Sequence, residues 1–195
     1  TLSDTQTLTV TVTNINEAPV ISGLSSADNQ SISASATAKL IDLGTPATIS
    51  DPENINFNNG TLTITIASGR AIGDALGIFS GAGVSLSNGT NTGSTVTIAG
   101  LVIGAIANNG TGSGNDNLIL NLNTEATPSR VSTLLQNITF DATGTQGDRV
   151  INATISDGQL NSNVTSFTLT VTTNPTVAIT SNSNVLKTGE TATIS

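Results

Sequence analysis

Residues 7–13 read TLTVTVT and residues 167–173 read FTLTVTT, and the alternation within these two stretches decides the fold class. In the first, Leu8, Val10 and Val12 share one side while Thr7, Thr9, Thr11 and Thr13 take the other; in the second, Phe167, Leu169 and Val171 hold the apolar positions. Facing that repeats every two residues is the mark of a strand with one side in a core and one toward solvent. Each stretch leads to a proline, Pro19 after NINEA and Pro175 after TTN, and each proline to a short apolar run, VIS or TVAIT. Strand, linker and new strand therefore occur twice, and the two prolines stand 156 positions apart, a period longer than the units of ordinary solenoids. On this reading residues 1–14 are the closing strand of a preceding repeat, 15–173 a complete domain, and 174–195 the opening of a following one.

Between the copies, strands are expected at 19–22, 38–43, 47–50, 61–67, 76–80, 83–87, 94–98, 101–106, 117–122, 137–141, 149–156 and 164–173. Turn signals separate them, among them NNG at 58–60, SNGTNTG at 87–93 and NNGTGSG at 108–114. One segment breaks the pattern. In ATPSRVSTLLQNI, Thr127 can cap, Pro128 suits the first helical position, and Val131, Leu134, Leu135 and Ile138 fall at helical spacing. This predicts one short helix near 128–137 that bridges two strands and packs. Many short strands with a single helix predict an all-β fold, a Greek-key β-sandwich, with the Gly-rich stretch 68–116 adding hairpins.

Composition agrees and narrows the chemistry. The 195 residues contain no Cys, Met, Trp, Tyr or His, and 9% are charged. Branched residues suit pleated strands, and Asn and Gly suit turns. Without Cys there is no disulfide, thiol nucleophile or thiolate metal site, and no apolar run approaches a bilayer span. A net charge of -8 with five basic residues, Lys39, Arg70, Arg130, Arg149 and Lys187, argues against nucleic acid and anionic membranes and leaves cations as partners. Catalysis has little to work with. There is no His base, no Cys nucleophile and no Gly-rich loop between a strand and a helix, and only four Phe could form a glycan platform. A non-enzyme is expected.

NINEAPV, ISDPENINFNNGTLTITI and ATISDGQLNSNVTSFTLTV together resemble the cadherin-like repeats of very large bacterial surface and adhesion proteins. NINEAP is similar to the cadherin interdomain linker, and ISDGQL to the segment that ends the next-to-last strand. Residues 174–195 resemble instead the start of a bacterial Ig-like domain. The resemblance implies a tandem stalk or spacer, secreted or on the cell surface, with calcium stiffening its joints. Its partners would be neighbouring domains of the same chain, and another surface protein or glycan, without membrane insertion.

Topology points to calcium independently. If the first strand of the complete domain starts at the linker pole, an up-and-down path returns the strand at 47–50 to that pole and leaves Asp51 and Glu53 there. The same parity delivers Asp157 from the strand at 149–156, while Asn14, Asn16 and Glu17 lie in the linker itself. Calcium takes six to eight oxygen ligands, mixing carboxylates, amides, carbonyls and water, and these six residues supply such oxygens. The alternative is plain turn chemistry, since Asp51 before Pro52 and Asp157 before Gly158 are both strong turn formers. The far linker, TTNPT, has no carboxylate, so no ion is expected there. A second functional reading, an accessory glycan- or ligand-binding module of a secreted enzyme, rests on the unassigned stretch 68–116. Two further patterns carry simple explanations. The Thr ladders suit solvent-facing strand positions, and the six Asn-x-Thr triplets at Asn59, Asn88, Asn109, Asn137, Asn152 and Asn163 mean modification only where a host glycosylates them.

Overall fold

The computed structural model describes residues 3–11, 15–34, 37–142 and 145–173; the expectations for Asn14 and for 174–195 fall outside the described residues. The strands are β1 (Val20–Ser22), β2 (Gln30–Ser33), β3 (Lys39–Leu40), β4 (Thr48–Ser50), β5 (Thr61–Ser68), β6 (Ala75–Ile78), β7 (Val84–Leu86), β8 (Thr95–Ile98), β9 (Leu101–Thr111), β10 (Leu118–Leu122), β11 (Ile138–Asp141), β12 (Gly147–Ser156) and β13 (Thr165–Thr172), with one α-helix, α1 (Pro128–Leu135), and a single 3-10 turn at Ser26–Asp28. They form an all-β sandwich. One layer is an eight-stranded sheet in the order β2-β13-β12-β5-β10-β9-β8-β7; the three-stranded sheet β3-β11-β6 and the pair β1-β4 complete the strand inventory.

Alternation builds the core. In β5, Leu62, Ile64 and Ile66 are buried while Thr61, Thr63 and Thr65 are half-buried on the other face. In β12, Ile151, Ala153 and Ile155 are buried, and in β13 Phe167, Leu169 and Val171. Phe57 and Phe140 are wholly enclosed, so with so few aromatics the interior is filled chiefly by Ile, Leu and Val. Each fully buried side chain of this kind contributes about 1.5–3 kcal/mol of transfer free energy.

The helix forms as its sequence predicts. Thr127 Oγ1 accepts from the Arg130 N–H, Pro128 occupies the first turn, and Val131, Leu134 and Leu135 are buried. Ser132 Oγ accepts from the Ile49 N–H at 2.8 Å and donates to Pro128 O at 2.7 Å. A helical side chain thus satisfies a β4 backbone donor that would otherwise be unpaired inside the protein.

Three local features differ from the sequence reading. The strand expected at 38–43 is only Lys39–Leu40, because Asp42 Oδ2 takes the Ala47 N–H at 2.8 Å and turns the chain. Strand β2 is additional, and it pairs in parallel with β13 from Leu169↔Gln30 to Thr172↔Ser33. Residues 3–11 form no strand, and Leu8 is 86% and Val10 73% exposed. Their period-two pattern has no sheet to join among the described residues. The stretch 68–116 does add hairpins, β7–β8 and β8–β9, with β7 an edge strand of the large sheet among the described residues, while β6 pairs with β11.

At the pole far from the linker, Arg149 is 2% exposed and donates through Nε to Asp74 Oδ2 at 2.6 Å, and through its terminal nitrogens to Gly147 O and Thr145 O. Asp74 is fully buried and also accepts from the Ala71 N–H. The pair ties the loop after β5 to the loop before β12. Removing one member of a buried ion pair leaves the other charge uncompensated. Asp74→Ala is therefore expected to cost about 3–5 kcal/mol in urea unfolding, and the added effect of Arg149→Met in that background should be far smaller than its effect in the wild type.

A second buried acid behaves in the opposite sense. Asp28 is fully enclosed and accepts from the Ser25, Leu43 and Gly44 N–H groups, so all its charge is hydrogen-bonded. Asp42 beside it has one oxygen bonded to Ala47 and the other buried with no partner. Burial pushes the Asp42 carboxyl above its ordinary value; the Ala47 N–H opposes this, and the Asp28 charge adds to it. A raised carboxyl favours the folded state at low pH and loses that contribution as pH rises through the folded pKa. Asp42→Asn should raise the melting temperature at pH 7 and lose that advantage at acidic pH, measured by thermal melts across pH.

Candidate functional site: the linker pole

The pairing of β12 with β5 ends at Ser156↔Thr61, and the pairing of β1 with β4 sets Val20 opposite Ser50. The residues that follow β12 and β4, and those that precede β1, therefore reach one pole. Gly60 allows the closure there, because a Cβ at that position would run into the Ser156 carbonyl.

Hydrogen bonds show which expected residues meet. Asn16 Nδ2 donates to Asp157 Oδ2 at 2.7 Å, joining linker to loop across the sequence. The Glu17 N–H donates to Glu53 Oε2 at 3.1 Å. Asp51 Oδ1 accepts from the backbone of Glu53 and Asn54, and Asp157 Oδ1 from Gln159 and Leu160. The two aspartates are therefore turn formers, Asp157 through Oδ1 and Asp51 through Oδ1 to the backbone and Oδ2 to the Asn54 side chain. Asn54 Nδ2 stands 3.0 Å from Asp51 Oδ2, 3.3 Å from Asp157 Oδ2 and 3.4 Å from Asn16 Oδ1. Asn16 Nδ2 already donates to Asp157 Oδ2, and the two hydrogens of Asn54 Nδ2 suffice for Asp51 Oδ2 and Asn16 Oδ1, so these amides and carboxylates form one hydrogen-bonded cluster.

Asn16, Asp51 and Asp157 thus converge on one point, and Glu17 and Glu53 sit beside them through a separate contact. Among the described residues no group of three acids is placed to hold a metal alone. Asp51 and Asp157 meet at that point with the two amides, while Glu53 accepts from the linker backbone through Oε2. The donor chemistry suits a hard cation. Asp51 and Asp157 would supply carboxylate oxygens, and Asn16 and Asn54, with their amides turned over, would supply neutral ones. With no imidazole or thiolate available, this set does not favour a transition metal.

Two residues here were not singled out from sequence as site members. Asn54 is the fourth residue of the Asp-Pro-Glu-Asn turn, and its side chain folds back on the aspartate that opens the turn. Asn163 holds the linker strand by both ends of its amide: Oδ1 accepts from the Ile21 N–H at 3.1 Å and Nδ2 donates to Ile21 O at 3.2 Å. Sequence marked Asn163 only as part of an Asn-x-Thr triplet, and its role depends on a strand 142 positions away.

Burial works to raise the Asp157 carboxyl, but donors from Leu160, Asn16 and Gln159 outweigh it and hold the group below its ordinary value. A lowered carboxyl stabilises the folded state above the unfolded pKa and loses that contribution as pH falls through the folded one. Asp157→Ala should cost about 1–3 kcal/mol at neutral pH, the usual penalty for stranding such partners. Acid titrations of mutant and wild type should converge below the folded pKa.

No family model, no curated protein and no solved structure matches this chain.

Proposed function

We propose that this chain is a non-catalytic structural and adhesive spacer from a secreted or cell-surface repetitive protein, a cadherin-like sandwich whose N-terminal joint is stiffened by calcium. The observation that carries the reading is the set of oxygens around Asn54 Nδ2, contributed by linker, β4 loop and β12 loop. A cation at that centre would tie the linker to the domain and cancel the repulsion between Asp51 and Asp157. Two further facts support it. The linker is already strapped to the pole through Asn16, Glu17 and Asn163. The exposed Leu8 and Val10 have the facing pattern of the buried Leu169 and Val171, as the last strand of a similar preceding unit would. No helix among the described residues is long and apolar enough to cross a membrane.

One observation favours the alternative of a glycan- or ligand-binding module. Phe79, in the stretch 68–116, is 48% exposed, whereas Phe57, Phe140 and Phe167 are buried. An exposed ring could stack on a sugar.

Thermal melts in calcium and in chelator separate these readings. Saturation at about a hundred times the dissociation constant is worth about 2.7 kcal/mol, so the wild type should melt about 5–10 °C higher with calcium. Asp51→Ala and Asp157→Ala should each abolish most of that gain. A wild type that melts at the same temperature in calcium and in chelator would overturn the calcium joint, and glycan binding lost on Phe79→Ala would favour the second reading.

A further inference from the structure

The six Asn-x-Thr triplets are equivalent in sequence but not in structure. N-glycosyl transfer to such a triplet needs an acceptor amide that an enzyme can reach and a hydroxyl two residues on that is free to take part. Three acceptors are already engaged. Asn137 Nδ2 donates to Thr133 O, Asn152 Oδ1 accepts from Ser166, and Asn163 is held at both ends by Ile21. At Asn109 the side chain is exposed, but the hydroxyl of Thr111 donates to Asp116 Oδ2 at 2.9 Å. At Asn59 the next residue, Gly60, is buried against Ser156, and Thr61 opens β5 inside the sheet.

Asn88 differs on every count. It is exposed, and neither its side-chain amide nor the Thr90 hydroxyl has a hydrogen-bond partner among the described residues. Gly89 between them has φ +53° and open space around the position of a Cβ. The base of the loop is firm: Ser94 Oγ accepts from the Asn88 N–H, and Ser87 Oγ from the Thr95 N–H. The triplet is therefore a presented tip on a fixed base.

We propose that Asn88-Gly89-Thr90 is an N-glycan acceptor site in the folded protein. The co-substrate is an activated sugar diphosphate, delivered by an asparagine glycosyltransferase. The amide nitrogen attacks the anomeric carbon, the new carbon–nitrogen bond replaces the carbon–oxygen bond to phosphate, the diphosphate leaves with the bonding pair, and the amide gives up one proton. The location gives the sugar a consequence. Asn88 follows β7, one of the two edge strands of the eight-stranded sheet among the described residues, and hydrated bulk there would shield an edge that invites pairing with another chain.

The test incubates the full folded chain with UDP-glucose and an asparagine N-glucosyltransferase, with a peptide of residues 84–96 alongside, and reads intact mass and peptide maps. The expected result is one hexose on both substrates, mapped to Asn88 in the protein. Asn88→Gln should abolish it and Thr90→Ala should slow it at least tenfold, with thermal midpoints unchanged in both variants. Modification of the peptide but not of the folded protein would overturn the proposal, because the loop would then be closed. Equal modification of Asn152 or Asn163 in the folded chain would overturn it as well, since structural selection would be absent. So would failure of both substrates, since the triplet would then be no acceptor in any conformation.

Discussion

The register between β5 and β12 is the constraint on which most of this structure depends. The two strands pair from Val150↔Ser68 to Ser156↔Thr61 near the middle of the large sheet. A slip by one residue would send Leu62, Ile64 and Ile66 to solvent and bring three threonines into the core. The same register decides where β12 ends, and hence that Asp157 arrives at the linker pole beside the turn before β5. One ladder therefore places both the core residues of these strands and Asp157, while the β1–β4 pair brings the linker and the Asp51 turn to meet it.

What was legible in the sequence was what depends on local period. The strands β5, β12 and β13 announce themselves by alternation, and α1 by Thr127, Pro128 and the spacing of Val131, Leu134 and Leu135. The hidden elements have little local signature. In β2, QSIS offers one apolar residue, Ile32, and it is a strand because β13 accepts it in parallel. The short β3 results from a side chain, Asp42, capturing a backbone N–H. Residues 7–11 show the converse, a strand pattern without a sheet among the described residues, because alternation describes what a segment can pair with and supplies no partner.

The site was legible in a similar way. Strand parity was enough to bring Asn16, Asp51 and Asp157 to one pole, but not to say which atoms would face each other. Turn formation is what local sequence could announce: Asp51 and Asp157 each spend Oδ1 on the backbone of their own loops, and only the folded chain brings their Oδ2 atoms together around Asn54 and Asn16. Asn54 escaped notice because its contribution requires the turn to be folded first.

The placement of the terminal strands has a mechanical consequence. The linker enters at the pole of Asp157, while β13 ends beside Gly147 at the start of β12, so the attachment points are separated by the length of a ten-residue strand, about 34 Å. A pull applied at these ends runs along β13 and along β1. Both strands are then loaded in shear, with β13 gripped by β12 on one side and β2 on the other, and the bonds of each ladder resist together instead of opening one at a time like a zip. Of the two grips, β1 with its three residues is the weaker. The two hydrogen bonds between Asn163 and Ile21 lie on that strand, reinforcing the end of the domain that would yield first under tension.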